Sequence, residues 1–135
     1  MAVCAPSSSS RSGPTGEKIG AEKVAELLKT ELGATDEQAA AALSLAQICT
    51  QDTSFVEQVR ALGVTHPLME EGLDELRQVI EAAVLRAPGK VVADMSIARG
   101  LDYYTGTVYE TVLVGHESLG SICSGGRYES LASTG

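Results

Sequence analysis

The 135-residue chain has almost no large aromatic side chains and few cysteines and histidines. It contains no Trp and one Phe, and aromatic residues make up 4% of it, so the core must consist mostly of Ala, Val, Leu and Ile. An odd number of scattered cysteines without a CxxC pair, together with two isolated histidines, excludes the usual patterns of a disulfide framework or a metal site. We therefore expect free thiols in a reducing cytoplasm and no bound metal. The residues concerned are Cys4, Cys49, Cys123, His66 and His116.

Basic residues and long apolar runs are also scarce. Lys and Arg number 10 against 18 acidic residues, a formal net charge of -8. This balance argues against a free-standing nucleic-acid-binding protein, which usually presents a basic face. No apolar run approaches the roughly 20 residues that a bilayer-spanning helix needs, and residues 1–16 are too poor in apolar side chains for a signal peptide. The sequence predicts a soluble cytoplasmic protein with no membrane partner.

Residues 17–88 have the apolar periodicity of four short amphipathic helices. Residues 1–16 are rich in Ser, Pro and Gly and have no periodicity, so we expect this leader to be disordered. The second helix is predicted to cover residues 35–51. The pattern thus predicts a small helical subdomain. Its helix-boundary signals are Gly33 and Gly63 as stops, Thr35 with Gln38 and Ser54 with Glu57 as capping boxes, and Pro67 in a first turn.

Residues 89–135 have the pattern of strands instead. The stretches KVVADMSI, TVYETVLV and LGSICSGG are β-branched or alternate in polarity, and the polar GHES between the last two suits a hairpin turn. Three strands and the beginning of a helix do not close a sheet, and a half-sheet with open edges is a poor autonomous fold. We therefore expect an α+β chain in which a helical subdomain is followed by an incomplete antiparallel sheet from something larger.

The stretch ARGLDYYTG concentrates groups that suit a small polar ligand. Arg99 carries a permanent fork of donors that matches a carboxylate or a phosphate. Tyr103 and Tyr104 offer flat walls with hydroxyl groups, and Asp102 can orient a neighbouring donor. This part of the chain is therefore predicted to hold a planar, hydrogen-bonding molecule.

A second stretch, SGGRYESL, adds a Gly-Gly pair at a strand end. Gly125 and Gly126 lack side chains and so leave space for a ligand near the backbone. Arg127 and Tyr128 follow them. Because the predicted hairpin brings the two stretches together, we expect them to form one site.

These two stretches carry a resemblance to a known family. RGLDYYTGTVYE resembles a histidine-binding signature of histidyl-tRNA synthetases, and GGRYESL resembles their second signature, usually GGRYDGL or GGRYDAL, in the same order and at a similar separation. Glu129 and Ser130 depart mildly from the usual residues of that second signature. Upstream, EKIGAEKVAELL and the helices after it resemble the insertion domain of this class II synthetase. The resemblance covers residues 17–135 and leaves residues 1–16 unmatched.

The resemblance implies roles for individual residues. In the family, the arginine that matches Arg99 lies beside the ATP α-phosphate and the histidine carboxylate and stabilises charge during adenylate formation. It implies that Tyr103 and Tyr104 help form the histidine pocket and that Gly125 and Gly126 let the substrate approach the backbone. Supporting roles fall to Asp102, Arg127 and Tyr128.

The resemblance also implies substrates and partners. A parent histidine–tRNA ligase would use L-histidine, ATP with Mg²⁺ and tRNA(His), and would be a homodimer. The family's motif 1, its motif 2 arginine and loop, its motif 3 arginine and its anticodon-binding domain have no counterpart in this sequence. We therefore expect an internal fragment of the ligase that has no ATP site of its own and is inactive alone.

Two alternatives remain at this stage. The regulatory subunit of ATP phosphoribosyltransferase shares the synthetase core, but its first signature is usually degraded, and the intact RGLDYY disfavours it. A non-catalytic helical interaction module would account for residues 17–88 and leave the strands unexplained.

Overall fold

The computed structural model describes residues 2–4, 20–98 and 104–128. These residues form an α+β arrangement, as the sequence predicts. A short 3₁₀ turn, Glu117–Leu119, lies between the last two strands. The helices and strands in chain order are β1 Ala2–Cys4, α1 Ala21–Leu32, α2 Asp36–Ala46, β2 Cys49–Thr50, α3 Phe55–Arg60, α4 Pro67–Arg86, β3 Val92–Asp94, β4 Val108–Val112 and β5 Ser121–Gly126.

The junction between α1 and α2 follows the predicted stop and start signals. Gly33 ends α1 with φ 65°, a left-handed conformation that glycine adopts without steric cost. Thr35 and Gln38 then form the expected capping box: the Gln38 N–H donates to Thr35 Oγ1 at 3.2 Å, and the Thr35 N–H donates to Gln38 Oε1 at 2.9 Å. An ion pair between Lys29 and Asp36 also joins the two helices. The prediction is confirmed at this junction.

The predicted extent of the second helix is wrong at its C-terminal end. Helix α2 ends at Ala46 rather than at residue 51, and Cys49–Thr50 form strand β2, which pairs antiparallel with β3. The Met95 N–H donates to the Ile48 carbonyl at 3.0 Å, and Ile48 is buried in the core. Tertiary pairing with β3 therefore overrides the local helical pattern.

The second predicted capping box, at Ser54, does not form. Ser54 has helical dihedral angles, φ −63° and ψ −19°, and its side chain makes no cap hydrogen bond to α3. The Ser54 N–H instead donates to Asp52 Oδ1 at 2.9 Å. An aspartate two residues earlier supplies the acceptor because Asp side chains readily bond a backbone N–H two residues on. Hydrogen bonds from the Ser54 side chain and from the Ser54 N–H lower the pKa of Asp52.

The strands form one sheet in the order β2-β3-β1-β4-β5. Strand β1 is antiparallel to β3 and parallel to β4. Within residues 89–135, β4 pairs antiparallel with β5, as expected for that region. Residues 2–4, from the leader that the sequence predicts to be disordered, form β1, and the rest of that leader lies outside the described residues. The physical reason is backbone pairing: a strand in this position satisfies edge hydrogen-bonding groups on both neighbours, which composition does not report.

The predicted hairpin joins β4 and β5. Their register pairs Val108 with Gly126 and Tyr109 with Gly125. The GHES segment lies in the connection, where Gly115 has φ 82° and its N–H donates to Glu117 Oε1 at 2.8 Å. The two signature stretches are therefore brought to the same end of the hairpin.

The core lies between α3, α4 and the β2–β3 edge of the sheet. Helix α4 faces it with Leu73, Leu76 and Ile80, each at most 1% exposed. Helix α1 has no buried residue. No helix in the described ranges combines the length and apolarity needed to cross a membrane. The remaining buried residues of the core cluster are Ile48, Phe55, Val56, Val59 and Ala93.

Candidate functional site

The structure describes only some of the predicted site residues. The first signature is described from Tyr104 onward, whereas Arg99, Asp102 and Tyr103 lie outside the described residues. From the second signature it describes Gly125, Gly126, Arg127 and Tyr128.

The end of the first signature lies beside the end of β5. The Thr105 N–H donates to the Arg127 carbonyl at 3.0 Å, and Arg127 directly follows Gly126, which pairs with Val108 in the hairpin. The expectation that the two signature stretches meet is therefore confirmed for their described residues.

Tyr104 packs against both the backbone and a side chain of the second signature. A Cβ added to Gly126 would lie 2.5 Å from Tyr104 Cδ1 and 2.9 Å from its Cγ, so the ring occupies the space that the missing side chain leaves. The Tyr104 and Tyr128 rings lie 5.3 Å apart between centroids at 35°. A hydrogen bond between their side chains raises the pKa of Tyr128, because it favours the protonated phenol. These contacts hold Tyr104 against Gly126 and Tyr128.

Tyr109 is a neighbour that the sequence patterns did not indicate. It lies opposite Gly125 in the register, and its hydroxyl oxygen lies 2.5 Å from where a Gly125 Cβ would be. The space beside both glycines is thus occupied by tyrosine side chains. The sequence alone could have indicated Tyr109 only through its place in the second predicted strand, opposite a glycine. That pairing can be recognised only when the register of the two strands is known.

Glu75 on α4 also reaches this region. Its Oε1 lies 3.3 Å from an Arg127 guanidinium nitrogen. Its Oε2 lies 2.9 Å from where a Gly106 Cβ would be. A cavity of about 450 Å³ lies between α4 and the Tyr104 segment. Its lining residues are Leu68, Glu71, Gly72, Glu75, Tyr104, Thr105, Gly106 and Thr107.

A second cavity, of about 490 Å³, lies between α3 and α4 and is lined by no signature residue. Its two arginines are already paired with carboxylates: Arg60 contacts Glu70 at 2.7 Å, and Arg77 contacts Asp74 at 2.6 Å. The hydrogen bonds with Arg60 and Arg77 lower the pKa of Glu70 and Asp74, respectively. The guanidinium donors therefore serve internal ion pairs.

Within residues 2–4, 20–98 and 104–128, no group of three or more His, Cys, Asp or Glu side chains is placed to hold a metal ion.

Comparison of the sequence with known protein families shows which family the chain belongs to. The sequence profile of histidyl-tRNA synthetase matches residues 17–134. The chain belongs to the histidyl-tRNA synthetase family. The match includes every candidate site residue, described or not, and begins after the leader that contains β1.

Curated relatives are consistent with the profile. The chain is 72% identical over 119 residues to a histidine–tRNA ligase of Micrococcus luteus and 57% identical over 119 residues to one of Cutibacterium acnes, each alignment covering 88% of this chain and 26% of the relative. A histidine–tRNA ligase of Thermobifida fusca is 54% identical over 115 residues, covering 85% of this chain and 26% of the relative. The chain thus spans about a quarter of the length of these relatives. No solved structure matches it. These names disfavour both alternative functions.

Proposed function

We propose that this chain contributes the histidine-recognition part of a histidine–tRNA ligase. The complete enzyme would join histidine to the α-phosphate of ATP, releasing pyrophosphate, and then transfer the histidyl group to tRNA(His). The observation that carries the proposal is the meeting of the two signature stretches, with Tyr104 packed on Gly126 and Tyr128, inside a segment that matches the family over residues 17–134.

Individual roles follow from side-chain chemistry. Arg99 is the proposed catalytic residue, because its guanidinium can bind both the carboxylate that attacks and the α-phosphate that accumulates charge. Tyr103 and Tyr104 are the proposed pocket walls for the imidazole. Gly125 and Gly126 are the proposed glycines of the histidine site, where their missing side chains make room for the rings of Tyr109 and Tyr104. Asp102, Arg127 and Tyr128 would support that pocket.

The domain organisation belongs to the same proposal. Residues 17–88 would form a helical insertion-type subdomain, and residues 89–135 would form an incomplete piece of a class II catalytic core. Helices α1 to α4 lie within residues 17–88 and strands β3 to β5 within residues 89–135, which supports this division, and β2 joins the two parts by pairing with β3. The complete ligase would use ATP with Mg²⁺ and would be a homodimer. Because the chain spans 26% of the Micrococcus luteus relative, we expect it to be inactive alone.

The test uses a hybrid enzyme, the Micrococcus luteus ligase with its matching segment replaced by residues 17–134 of this chain. The hybrid should catalyse histidine-dependent ATP–pyrophosphate exchange. Arg99→Ala should lower kcat about a hundredfold, because losing one such donor to the transition state typically costs ~3 kcal/mol. Arg86 is an exposed arginine at the end of α4, so Arg86→Ala is the matched control and should change neither kcat nor KM for histidine. An inactive hybrid would reject the proposed function. An Arg99→Ala variant that changes only KM would reject the catalytic role of Arg99.

Tyr104→Phe in the same hybrid separates binding from catalysis. It removes a hydroxyl group that is proposed to contact histidine in the ground state and the transition state alike, so KM for histidine should rise more than kcat falls. An unpaired buried partner costs ~1–3 kcal/mol, which corresponds to roughly five- to 150-fold in apparent affinity. Equal losses in kcat and kcat/KM would assign Tyr104 to catalysis instead.

A further inference from the structure

Helix α4 presents Glu75 to the signature region from a fixed position. The next residue, Leu76, is fully buried, and Leu73 is 1% exposed, so both anchor this turn of the helix in the core. The Glu75 side chain itself is 32% exposed and lines the cavity between α4 and the Tyr104 segment. Its backbone therefore cannot follow movements of the signature segments without disturbing the core.

The carboxylate of Glu75 contacts both signature stretches. Oε1 pairs with Arg127, a contact between residues 52 positions apart. Oε2 lies over Gly106, so close that a Cβ there would be only 2.9 Å away. Arg127 in turn accepts the Thr105 N–H through its carbonyl at 3.0 Å. Thr105 and Gly106 directly follow Tyr104.

We propose that Glu75 is a positioning residue for Tyr104: by holding Arg127 and closing over Gly106, its carboxylate ties the signature segments to α4 and fixes the placement of the Tyr104 side chain. The consequence for histidine binding rests on the proposed function. Glu75 does not touch the substrate in this role. It acts through the backbone on either side of the tyrosine.

The solvent exposure of the Glu75–Arg127 ion pair sets how much its loss should weaken histidine binding. The Arg127 side chain is 57% exposed, so solvent screens its attraction to Glu75. Exposed ion pairs contribute little, and loss of this one should change the affinity for histidine roughly two- to fivefold. Glu71 provides a matched control. It lies one turn earlier on α4 and lines the same cavity, but the ion pair with Arg127 is formed by Glu75.

The first experiment needs no substrate. In the full 135-residue chain with ¹³C-labelled tyrosine rings, Glu75→Gln should shift the resonances of Tyr104 and Tyr128, whereas Glu71→Gln should leave them unchanged. The charge-swapped pair, Glu75→Arg with Arg127→Glu, should restore them toward their original positions. A purely structural role in α4 would not produce this rescue. Equal shifts in Glu75→Gln and Glu71→Gln, or no rescue by the swap, would overturn the proposal.

The second experiment uses the hybrid enzyme. Glu75→Gln should raise KM for histidine roughly two- to fivefold and leave kcat nearly unchanged, with Glu71→Gln as the silent control. A change in kcat without a change in KM would overturn the positioning role. An inactive unmutated hybrid would reject the proposed function instead, and the tyrosine resonances would still decide whether Glu75 positions Tyr104.

Discussion

Gly125 and Gly126 are adjacent in β5 but differ in what lies beside them. A Cβ on Gly125 would meet the hydroxyl end of Tyr109, a side chain that is 46% exposed and can swing outward. A Cβ on Gly126 would meet Cγ and Cδ1 of Tyr104, at the end of the ring that is attached to the Tyr104 Cβ. The first contact can be relieved by a rotamer change, whereas the second requires the whole ring to move.

We therefore expect the two alanine substitutions to differ. Gly126→Ala should lower the free energy of unfolding by roughly 1–3 kcal/mol, the usual cost of forcing an extra carbon into a packed site. In the hybrid enzyme it should also weaken histidine binding. Gly125→Ala should reduce both the free energy of unfolding and the affinity for histidine by less than Gly126→Ala does. Urea denaturation of the 135-residue chain and KM for histidine test this, and equal costs at the two positions would contradict it.

At this scale, the sequence predicts site residues that are neighbours along the chain and misses those that are brought in by folding. Tyr104, Gly126 and Tyr128 lie in recognisable stretches, and the structure places them in contact. Tyr109 became relevant only through its register with Gly125. Glu75 lies 52 positions from Arg127, and nothing in the local pattern of α4 distinguishes it from the other acidic residues of that helix.

The helices show that the same capping signature has two outcomes. Thr35 has an extended backbone, φ −71° and ψ 166°, and its side chain accepts the N–H of Gln38. Ser54 is already helical and caps nothing in α3. An N-cap residue typically has an extended backbone, from which its side chain can accept the N–H two or three residues on.

This difference predicts a contrast in stability. Thr35→Ala should lower the free energy of unfolding by ~1 kcal/mol, the typical cost of losing an N-cap. Ser54→Ala should cost less than half as much, because no cap bond is lost. Circular dichroism at 222 nm during urea denaturation would measure both variants. A larger loss at Ser54 than at Thr35 would show that the capping assignment is wrong.

Element boundaries depended on partners that the local sequence does not contain. The starts of α2 and α4 follow from Thr35 and Pro67, which act on neighbouring backbone groups. His66 adds an N-cap that the pattern did not indicate, its Nδ1 accepting the Leu68 N–H at 3.2 Å. The end of α2 and the existence of β2 depend on β3, more than 40 residues later, so periodicity alone extended that helix too far.

Across the whole molecule, burial is uneven within the helical region. Helix α4 has fully buried Leu76 and Ile80, and β3 has fully buried Ala93, whereas α1 has no buried residue and packs mainly on α2. The predicted helical subdomain is therefore anchored through its second half. Local stability should follow the number of buried apolar contacts.

Hydrogen exchange of the 135-residue chain should reveal this gradient. Amides of α4 and β3 should exchange slowest, because exposing them requires opening the core, whereas amides of α1 should exchange faster. Mass spectrometry of proteolytic fragments would resolve these segments. Protection in α1 equal to that in α4 would contradict the gradient.

The α+β composition and the hairpin could be predicted because alternation and turn residues are local. The sheet order could not, since it depends on which strand fills the position between β3 and β4. That position is taken by Ala2–Cys4, from a stretch whose composition predicts disorder.

The pairing of β1 has a consequence for substitutions in residues 2–4. In the described sheet, β2–β3 and β4–β5 are joined through three residues that lie outside the family match. Ladder hydrogen bonds are made by backbone groups, so they place few demands on the identity of the strand that makes them. Substitutions that keep Ala2–Cys4 extended should therefore leave the connection between β3 and β4 intact, because backbone groups make it.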